Sequence, residues 1–222
     1  MTVCCLRLAT ATIVHGSKDA VGTLAIILTQ LHWNLVFFSR FQEAYEAAND
    51  SVVLCYYLCS VDPGYTHHWA ESLNSLYNAF SNLGRHSEAL PFIAESTKLY
   101  SQLVDANPEL YTSDWTTSLN NLHNALSNLG WYSEVLPFIE GSVKLQCWLV
   151  AIHPGSYTPN LAMSLNNLHT AHSNLGQHSE ALPFIEESIR LYCQLVAVHP
   201  GSYTLDLAMS LNNLHNALSN LG

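Results

Sequence analysis

Basic residues are scarce in this 222-residue sequence, which has 7 lysines and arginines against 17 aspartates and glutamates and a formal net charge of −10. Charged residues of both signs together make up only 11% of the chain. Sequence-independent binding to nucleic acid or to an anionic membrane requires clustered lysine and arginine side chains. The composition therefore argues against nucleic acid and against a membrane as partners.

Long apolar runs are also missing. The most apolar stretch, residues 24–38, is interrupted by Thr29, Gln30, His32 and Asn34, and it is shorter than the roughly 20 apolar residues that a transmembrane helix needs. The first residues of the chain have the weak apolar character of a poor signal peptide. The sequence thus predicts a buried amphipathic helix at 24–38 and a cytoplasmic protein.

The motifs of several enzyme classes are absent. There is no P-loop, no H-E-x-x-H, no G-x-S-x-G and no dinucleotide fingerprint. His86-Ser87-Glu88 and His178-Ser179-Glu180 match H-x-E, but the P-C-x-x-C of zinc deaminases does not follow. His169 and His172 could share a metal ion, yet their helix supplies no carboxylate or cysteine. The sequence predicts neither an enzyme nor a metal site nor a cofactor.

The six cysteines do not form a metal or redox motif either, because no pair has C-x-x-C spacing. Cys147 and Cys193 are 46 residues apart, at equivalent places of an internal repeat. Duplication explains their matching positions, so we expect free thiols in a reducing compartment and not a disulfide.

What the sequence does contain is a repeat with a period of 46 residues. Trp69, Trp115, Leu161 and Leu207 open its copies, and the segment SLNNLHNALSNLG at 118–130 recurs letter for letter at 210–222. Such self-similarity is typical of repeat architectures. We divide the chain into an N-terminal segment 1–23, a degenerate repeat 24–68, full repeats 69–114, 115–160 and 161–206, and a half repeat 207–222.

Each copy has the periodicity of two helices. Leu165, Leu168 and Leu175 fall on one stripe of a first helix. The glycines that follow the first helices suit a C′ position, and the segment H-P-G-S-Y-T suggests a turn between repeats. Predicted N-caps of the first helices are Asp114, Asn160 and Asp206. A second helix is predicted from about Ser179. Two helices per copy and no strand signal predict an all-α fold, an α-solenoid of antiparallel helix pairs.

The motif N-L-G-x-x-S-E-A-L-P-F-I at 82–93 and 174–185 resembles tetratricopeptide repeats. HEAT and armadillo repeats have similar periods but not this local signature. More narrowly, S-L-N-N-L followed by G-x-x-S-E-A-L-P-F is similar to the long repeats of kinesin light chains and of fungal and bacterial multidomain signalling proteins. The resemblance implies a right-handed superhelix that binds a protein or peptide partner.

In that family the first helices line a concave groove that holds a peptide. Carried over by position, the resemblance assigns to this groove Asn74, Asn78, Asn120, Asn121, Asn124, Asn166, Asn167, Asn212, Asn213 and Asn216. A helical wheel independently places Asn120, Asn124 and Ser127 on one face. Carboxamides both donate and accept hydrogen bonds, which suits a peptide backbone of unspecified sequence. In the alternative interpretation, these asparagines only solvate one face of recently duplicated helices.

The functional hypothesis is therefore a scaffold for protein–protein interaction. Its alternatives are a sensor or regulatory fragment of a larger signalling NTPase or protease, and a structural array without a partner. A histidine recurs at His123, His169 and His215, which we interpret as a half-buried packing position. Leu211, Leu214, Leu218 and Leu221 form an apolar stripe on the terminal half repeat, which predicts self-association of the chain.

Overall fold

The computed structural model describes residues 18–221, which form nine α-helices, one 3₁₀ turn at Pro63–Tyr65 and no strand. The predicted all-α fold is thus confirmed for this part of the chain. The helices are α1 Lys18–Phe37, α2 Phe41–Val61, α3 Thr66–Asn82, α4 His86–Ala106, α5 Pro108–Leu129, α6 Tyr132–Ile152, α7 Pro154–Asn174, α8 His178–Val198 and α9 Pro200–Leu221.

The chain divides into two compact units, unit 1 ending at Asn107 and unit 2 beginning at Pro108. Within unit 1, α1 packs on α2, α2 on α3 and α3 on α4, and within unit 2 the same succession holds from α5 to α9. Because the connections within each unit are short, successive helices of a unit run antiparallel. We call α1, α3, α5, α7 and α9 the first helices and α2, α4, α6 and α8 the second helices, so that a first and a second helix make one pair.

A glycine in the left-handed region closes the first helix of three pairs. Gly84, Gly130 and Gly176 have φ of 72°, 76° and 74°, where a side chain would be strained. At the end of α7 the amide of Gly176 donates to Ser173 O and that of Gln177 to His172 O, each at 3.0 Å. These bonds satisfy backbone carbonyls at the helix end that have no hydrogen-bond donor within the helix. The predicted C′ glycines are thus confirmed.

The predicted starts of the first helices are wrong. Asp114, Asn160 and Asp206 lie inside α5, α7 and α9, which begin six residues earlier at Pro108, Pro154 and Pro200. The segment H-P-G-S-Y-T is therefore mostly helix, and only His153 or His199 separates two helices there. Proline tolerates the first helical position because its φ is preset and no amide hydrogen bond is lost.

The first helices of the four complete pairs bury a stripe of four residues with spacing 3, 4, 3, which we call the pairing stripe. Contacts to the second helices include the bond between His169 Nδ1 and Ala181 O and the stacked rings of Phe80 and Phe92. The stripes are Ala25, Leu28, His32 and Leu35 of α1, Ala70, Leu73, Tyr77 and Phe80 of α3, Thr116, Leu119, His123 and Leu126 of α5, and Ala162, Leu165, His169 and His172 of α7. All are buried except His172, which is half-buried.

Two of the described helices, α1 and α6, are long and apolar enough to cross a membrane by length and composition. Core helices of water-soluble proteins meet the same criterion. In α1, 44% of the apolar window is buried, and Leu24, Leu28 and Leu35 form a core cluster with α2. The apolar stretch at 24–38 is thus a packed helix, as predicted. In α6, which the sequence analysis did not single out, 28% of the window is buried.

Four cysteines fall in the described residues, and all four are free thiols: Cys55 is buried, Cys59 half-buried, and Cys147 and Cys193 exposed. The exposed pair lies on α6 and α8, at matching positions of the two second helices. Cys4 and Cys5 lie outside the described residues.

Candidate functional site

The first helices of unit 2 bring asparagines of successive repeats into contact. Asn167 of α7 donates its side-chain amide to Asn120 Oδ1 of α5. Asn213 of α9 donates to Asn166 Oδ1 of α7 over 3.0 Å. In each case the second asparagine of an Asn-Asn pair bonds to the first asparagine of the preceding repeat. We call this row the asparagine ladder, in which each bond joins side chains 47 residues apart on successive first helices.

Two shallow hollows lie along the ladder. The first hollow has a volume of about 200 Å³, and its lining includes Asn120, Asn124, Asn166, Asn167, Met163, Met209 and Asp206. The second hollow has a volume of about 210 Å³, and its lining includes Asn213, Asn216, Asn220, His169, Thr170 and Ser173. The bond between Asn166 and Asn213 links the two. We call the surface formed by Asn120, Asn124, Asn166, Asn167, Asn213 and Asn216 the asparagine face.

The remaining predicted groove residues lie elsewhere. Asn212 is exposed on α9, outside both hollows, and Asn121 is half-buried on α5. Asn74 and Asn78 belong to α3 of unit 1, where the Asn78 side chain donates to the backbone oxygen of Asn74 at 2.9 Å. The structure therefore gathers six of the ten predicted residues into one surface of unit 2.

Sequence reasoning missed the methionines of this surface. Met163 and Met209 occupy equivalent positions in α7 and α9 and both line the first hollow. Met163 Sδ also accepts a hydrogen bond from Asn120 Nδ2 at 3.0 Å. The thioether is polarizable and adapts to irregular partners. Since Met163 lies three residues before Asn166, on the same side of the helix, the helical wheel could have identified it.

The asparagine face is nearly neutral. Asp206 is the one charged residue that lines the first hollow, and neither hollow has a lysine or arginine in its lining. Tyr192, beside Asp206, remains a neutral phenol because burial, with the nearby Asp206 carboxylate and Tyr203, raises its pKa. The surface thus presents amides, hydroxyls, thioethers and imidazoles with a single carboxylate.

His169 borders the second hollow from the pairing stripe of α7. Burial lowers its pKa, and the contact of Nδ1 with Ala181 O at 3.1 Å opposes that effect in part. The imidazole is therefore neutral near pH 7, with the Nδ1 hydrogen donated to the carbonyl and Nε2 left 3.5 Å from Ser173 Oγ. The predicted packing role fits this placement.

In α1, His32 occupies the same position of the pairing stripe as His123 in α5 and His169 in α7. Its Nδ1 lies 3.1 Å from Ala44 O, twelve residues later, which repeats the spacing and distance between His169 and Ala181. In the sequence, the spacing of twelve residues from a histidine to an alanine of the second helix could have identified this equivalence. A search at the 46-residue period misses it, because the first repeat is one residue shorter: the equivalent residues Ala25 and Ala70 are 45 residues apart.

One group of possible metal ligands occurs among the described residues, on α3 of unit 1. Ligand atoms of His67, His68 and Glu71 lie within 4.8 Å of one another. His68 Nδ1 is 3.8 Å from Glu71 Oε2, so the two form an ion pair whenever His68 is protonated. This group lies in the other unit from the asparagine face.

Comparison with known proteins agrees with the local motifs. Residues 161–201 match the family model of the tetratricopeptide repeat. This segment contains most of α7 and the whole of α8, and so covers most of one helix pair. A search of curated proteins found no match to the sequence.

Solved structures resemble the fold over most of the chain. The nearly identical TPR-like repeats of a kinesin light chain from Podospora anserina align with a TM-score of 0.64 at 18% identity, over 93% of this chain and 89% of that one. BtubC (BKLC) from P. vanneervenii aligns with a TM-score of 0.71 at 19% identity, over 98% and 80%. The apo form of RapI aligns with a TM-score of 0.64 at 11% identity, over 99% and 75%. Likeness at these identities concerns the fold. The protein is thus an all-α repeat solenoid whose fold is similar to that of tetratricopeptide-repeat structures, and its repeats resemble those of kinesin light chains.

Proposed function

We propose that this protein is a scaffold for protein–protein interaction and that it binds a peptide segment of its partner on the asparagine face of unit 2. The observation that carries the proposal is the pair of linked hollows along the asparagine ladder. Each hollow, at about 200 Å³, is smaller than the roughly 300–1,000 Å³ of a small-molecule pocket. Two hollows of this size suit individual side chains of a peptide better than a cofactor.

The exposed asparagines supply the chemistry for a peptide backbone. Asn124 on α5 and Asn216 on α9 are exposed, and each carboxamide can donate and accept at once. Met163 and Met209 offer apolar surface that can adapt to the ligand's side chains. Asp206 favours a basic side chain over an acidic one. The partner segment is therefore neutral or basic, with an apolar or basic side chain at the first hollow.

In addition to any contribution to peptide binding, the asparagine ladder has a structural role. The amides of Asn167 and Asn213 already serve as donors to the preceding repeat. The ladder residues hold the repeats in register, whereas Asn124 and Asn216 face the ligand. The two roles predict different consequences of mutation.

A selected peptide tests this proposal. Peptides that bind the full chain are isolated from a display library, and their affinity is measured by fluorescence anisotropy. The double variant Asn124→Ala/Asn216→Ala should bind about tenfold more weakly, since each lost hydrogen bond contributes about 0.5–1.5 kcal/mol. The control Asn128→Ala/Asn212→Ala removes one exposed asparagine from each of the same two helices, outside both hollows. Equal loss of affinity in both double variants, or in neither, would contradict the proposal.

We further propose that α9 makes the chain self-associate at high concentration. Its side chains Leu205, Leu211 and Leu218 are 72%, 47% and 52% exposed. Contiguous apolar surface of this kind favours association. The contact is weak, because it lacks the matched hydrogen bonds that join the helix pairs inside each unit.

A further inference from the structure

Two adjacent histidines and a glutamate converge at the start of α3 in unit 1. One ring nitrogen each of His67 and His68 and one carboxylate oxygen of Glu71 lie within 4.8 Å of one another. Glu71 is four residues after His67 and three after His68, and both separations make side chains neighbours on a helix surface. The centroids of the two imidazole rings are 5.2 Å apart. The first turns of one helix thus supply two nitrogen ligands and one oxygen ligand.

The surroundings restrain these side chains and still leave them accessible. The ring of Tyr100 on α4 packs edge-on against His67, with the centroids 6.0 Å apart, and the ring of Tyr65 lies 6.0 Å from that of His68. The side chains of His68 and Glu71 are 35% and 38% exposed, and His67 is also half-buried. An ion from the solvent therefore reaches all three side chains without any unfolding of the helix.

The carboxylate of Glu71 is not engaged by a lysine or an arginine of the described residues. Its ion-pair partner is His68, with 3.8 Å between Nδ1 and Oε2, and this pair forms only when His68 is protonated. A metal ion can replace that proton and bind both side chains. Four other glutamates pair instead with an arginine or lysine three residues away, namely Glu43, Glu88, Glu95 and Glu187.

The group belongs to one repeat and is not part of the repeat pattern. Duplication explains the recurrent histidine of the pairing stripe, but it does not explain His67 and His68. The spacing H-H-x-x-E also differs from the zinc motifs whose absence led to the prediction of no metal site. The corresponding positions of the later copies carry Ser113, Asp114 and Thr117, then Pro159, Asn160 and Met163, and then Leu205, Asp206 and Met209.

We propose that His67, His68 and Glu71 form a binding site for a divalent first-row transition metal ion such as Zn²⁺. Two imidazole nitrogens and one carboxylate are a ligand set that such ions accept, and water completes the coordination. Mg²⁺ and Ca²⁺ prefer sites made of oxygen ligands alone. The bound ion joins side chains of successive turns and so stabilises the start of α3. The site lies in unit 1 and is independent of the asparagine face.

A zinc titration of the full chain tests this proposal, after dialysis against a chelator and under reducing conditions. Isothermal titration calorimetry should show saturable binding of Zn²⁺. In nitrogen-15 NMR spectra the ring-nitrogen signals of His67 and His68 should shift as Zn²⁺ is added. Zn²⁺ should also raise the Tm, because it binds the folded chain. Mg²⁺ at the same concentration should change neither the histidine signals nor the Tm.

Matched variants assign the ligands. Glu71→Gln keeps the shape of the side chain and removes its charge, whereas His67→Ala and His68→Ala each remove a nitrogen ligand. Each of the three should weaken Zn²⁺ binding at least about tenfold, with helicity confirmed by circular dichroism. His86→Ala changes a histidine of α4 outside the group and should leave the affinity unchanged.

Three results would overturn the proposal. The first is the absence of saturable Zn²⁺ binding to the wild-type chain. The second is an equal Zn²⁺ affinity of the Glu71→Gln variant and the wild-type chain. The third is binding that is lost only when cysteines are replaced by serine, which would place the ion on the thiols.

Discussion

Asn213 donates its side-chain amide to Asn166 across the junction of two successive repeats, with Nδ2 3.0 Å from Oδ1. The two residues are 47 positions apart, one more than the repeat period, so the bond joins different members of the Asn-Asn pairs. Asn167 and Asn120 have the same separation and make the same bond one repeat earlier. Keeping both asparagines in the copies at 120–121, 166–167 and 212–213 therefore preserves a donor for the previous repeat and an acceptor for the next.

The ladder bond should contribute measurably to stability. We expect a coupling of about 0.5–1.5 kcal/mol between Asn166→Ala and Asn213→Ala in a double-mutant cycle, the usual net contribution of one hydrogen bond. Urea unfolding of the four proteins of the cycle gives this value. Pairing Asn166→Ala with Asn212→Ala, which removes the exposed neighbour, should give no coupling. A coupling of zero for Asn213 would mean that the ladder adds nothing to stability.

The C′ glycine of α7 should be hard to replace. Gly176 has φ of 74° with no neighbouring atom in the way of a Cβ, so Gly176→Ala costs only backbone strain, about 1–2 kcal/mol. Gly201 also has open space around its Cβ position but lies within α9 with ordinary helical backbone. There alanine is the better helix former, and Gly201→Ala should stabilise by up to about 1 kcal/mol. Thermal unfolding compares the two, and a similar change in Tm for both would contradict this account.

The buried histidines should make the fold sensitive to mild acid. Burial lowers the pKa of His123, whereas the same residue in the unfolded chain has a pKa of about 6.5. The unfolded state therefore gains a proton first as the pH falls. The free energy of unfolding is therefore highest above the pKa of histidine in the unfolded chain. Below that pH it declines by up to about 1.4 kcal/mol per pH unit for each such histidine.

Replacing one of these histidines should reduce that sensitivity. Tyr77 occupies the equivalent position in α3 and is equally buried, so His123→Tyr substitutes a residue that the repeat already accommodates. Chemical unfolding at pH 7.5 and pH 5.5 should show a smaller loss of stability for the variant than for the wild-type chain. An identical loss would indicate that His123 carries its proton equally well in both states.

The apolar stripe of α9, which includes Leu211 and Leu218, should govern self-association. Light scattering at rising protein concentration should show a growing mean mass for the wild-type chain and a constant mass for Leu211→Asp/Leu218→Asp, because charges on the apolar stripe oppose its burial. Circular dichroism serves to confirm that the variant is still helical. A wild-type chain that stays monomeric throughout would show that the stripe is tolerated in water.

Much of the fold was readable from the sequence because its signals are local. The 46-residue period, the C′ glycines and the two-helix copies depend on residues close together in the chain. The helix starts were wrong because aspartate or asparagine before an apolar run looks like an N-cap. The prolines six residues upstream, however, allow α5, α7 and α9 to begin earlier. The composition of the segment H-P-G-S-Y-T fits the N-terminus of a helix as well as it fits a turn.

The candidate site was predictable only in part. The helical wheel places Asn120 and Asn124 on one side of α5, and both line the first hollow. Which asparagines bond to each other depends on the rotation and displacement between neighbouring repeats, and no single helix contains that information. The same displacement brings Asp206 beside Tyr192 and adds Met209 to the lining, so sequence spacing alone could not have placed them there.

The most direct test of the asparagine face is a nitrogen-15 NMR titration of the full chain with a library-selected peptide, monitored at the side-chain amides of asparagine. We predict that the signals of Asn124 and Asn216 shift progressively and saturate with the peptide, while those of Asn128 and Asn212 on the same helices remain in place. Shifts that bypass Asn124 and Asn216, and fall on other residues of the chain, would contradict the assignment of this surface as the binding site.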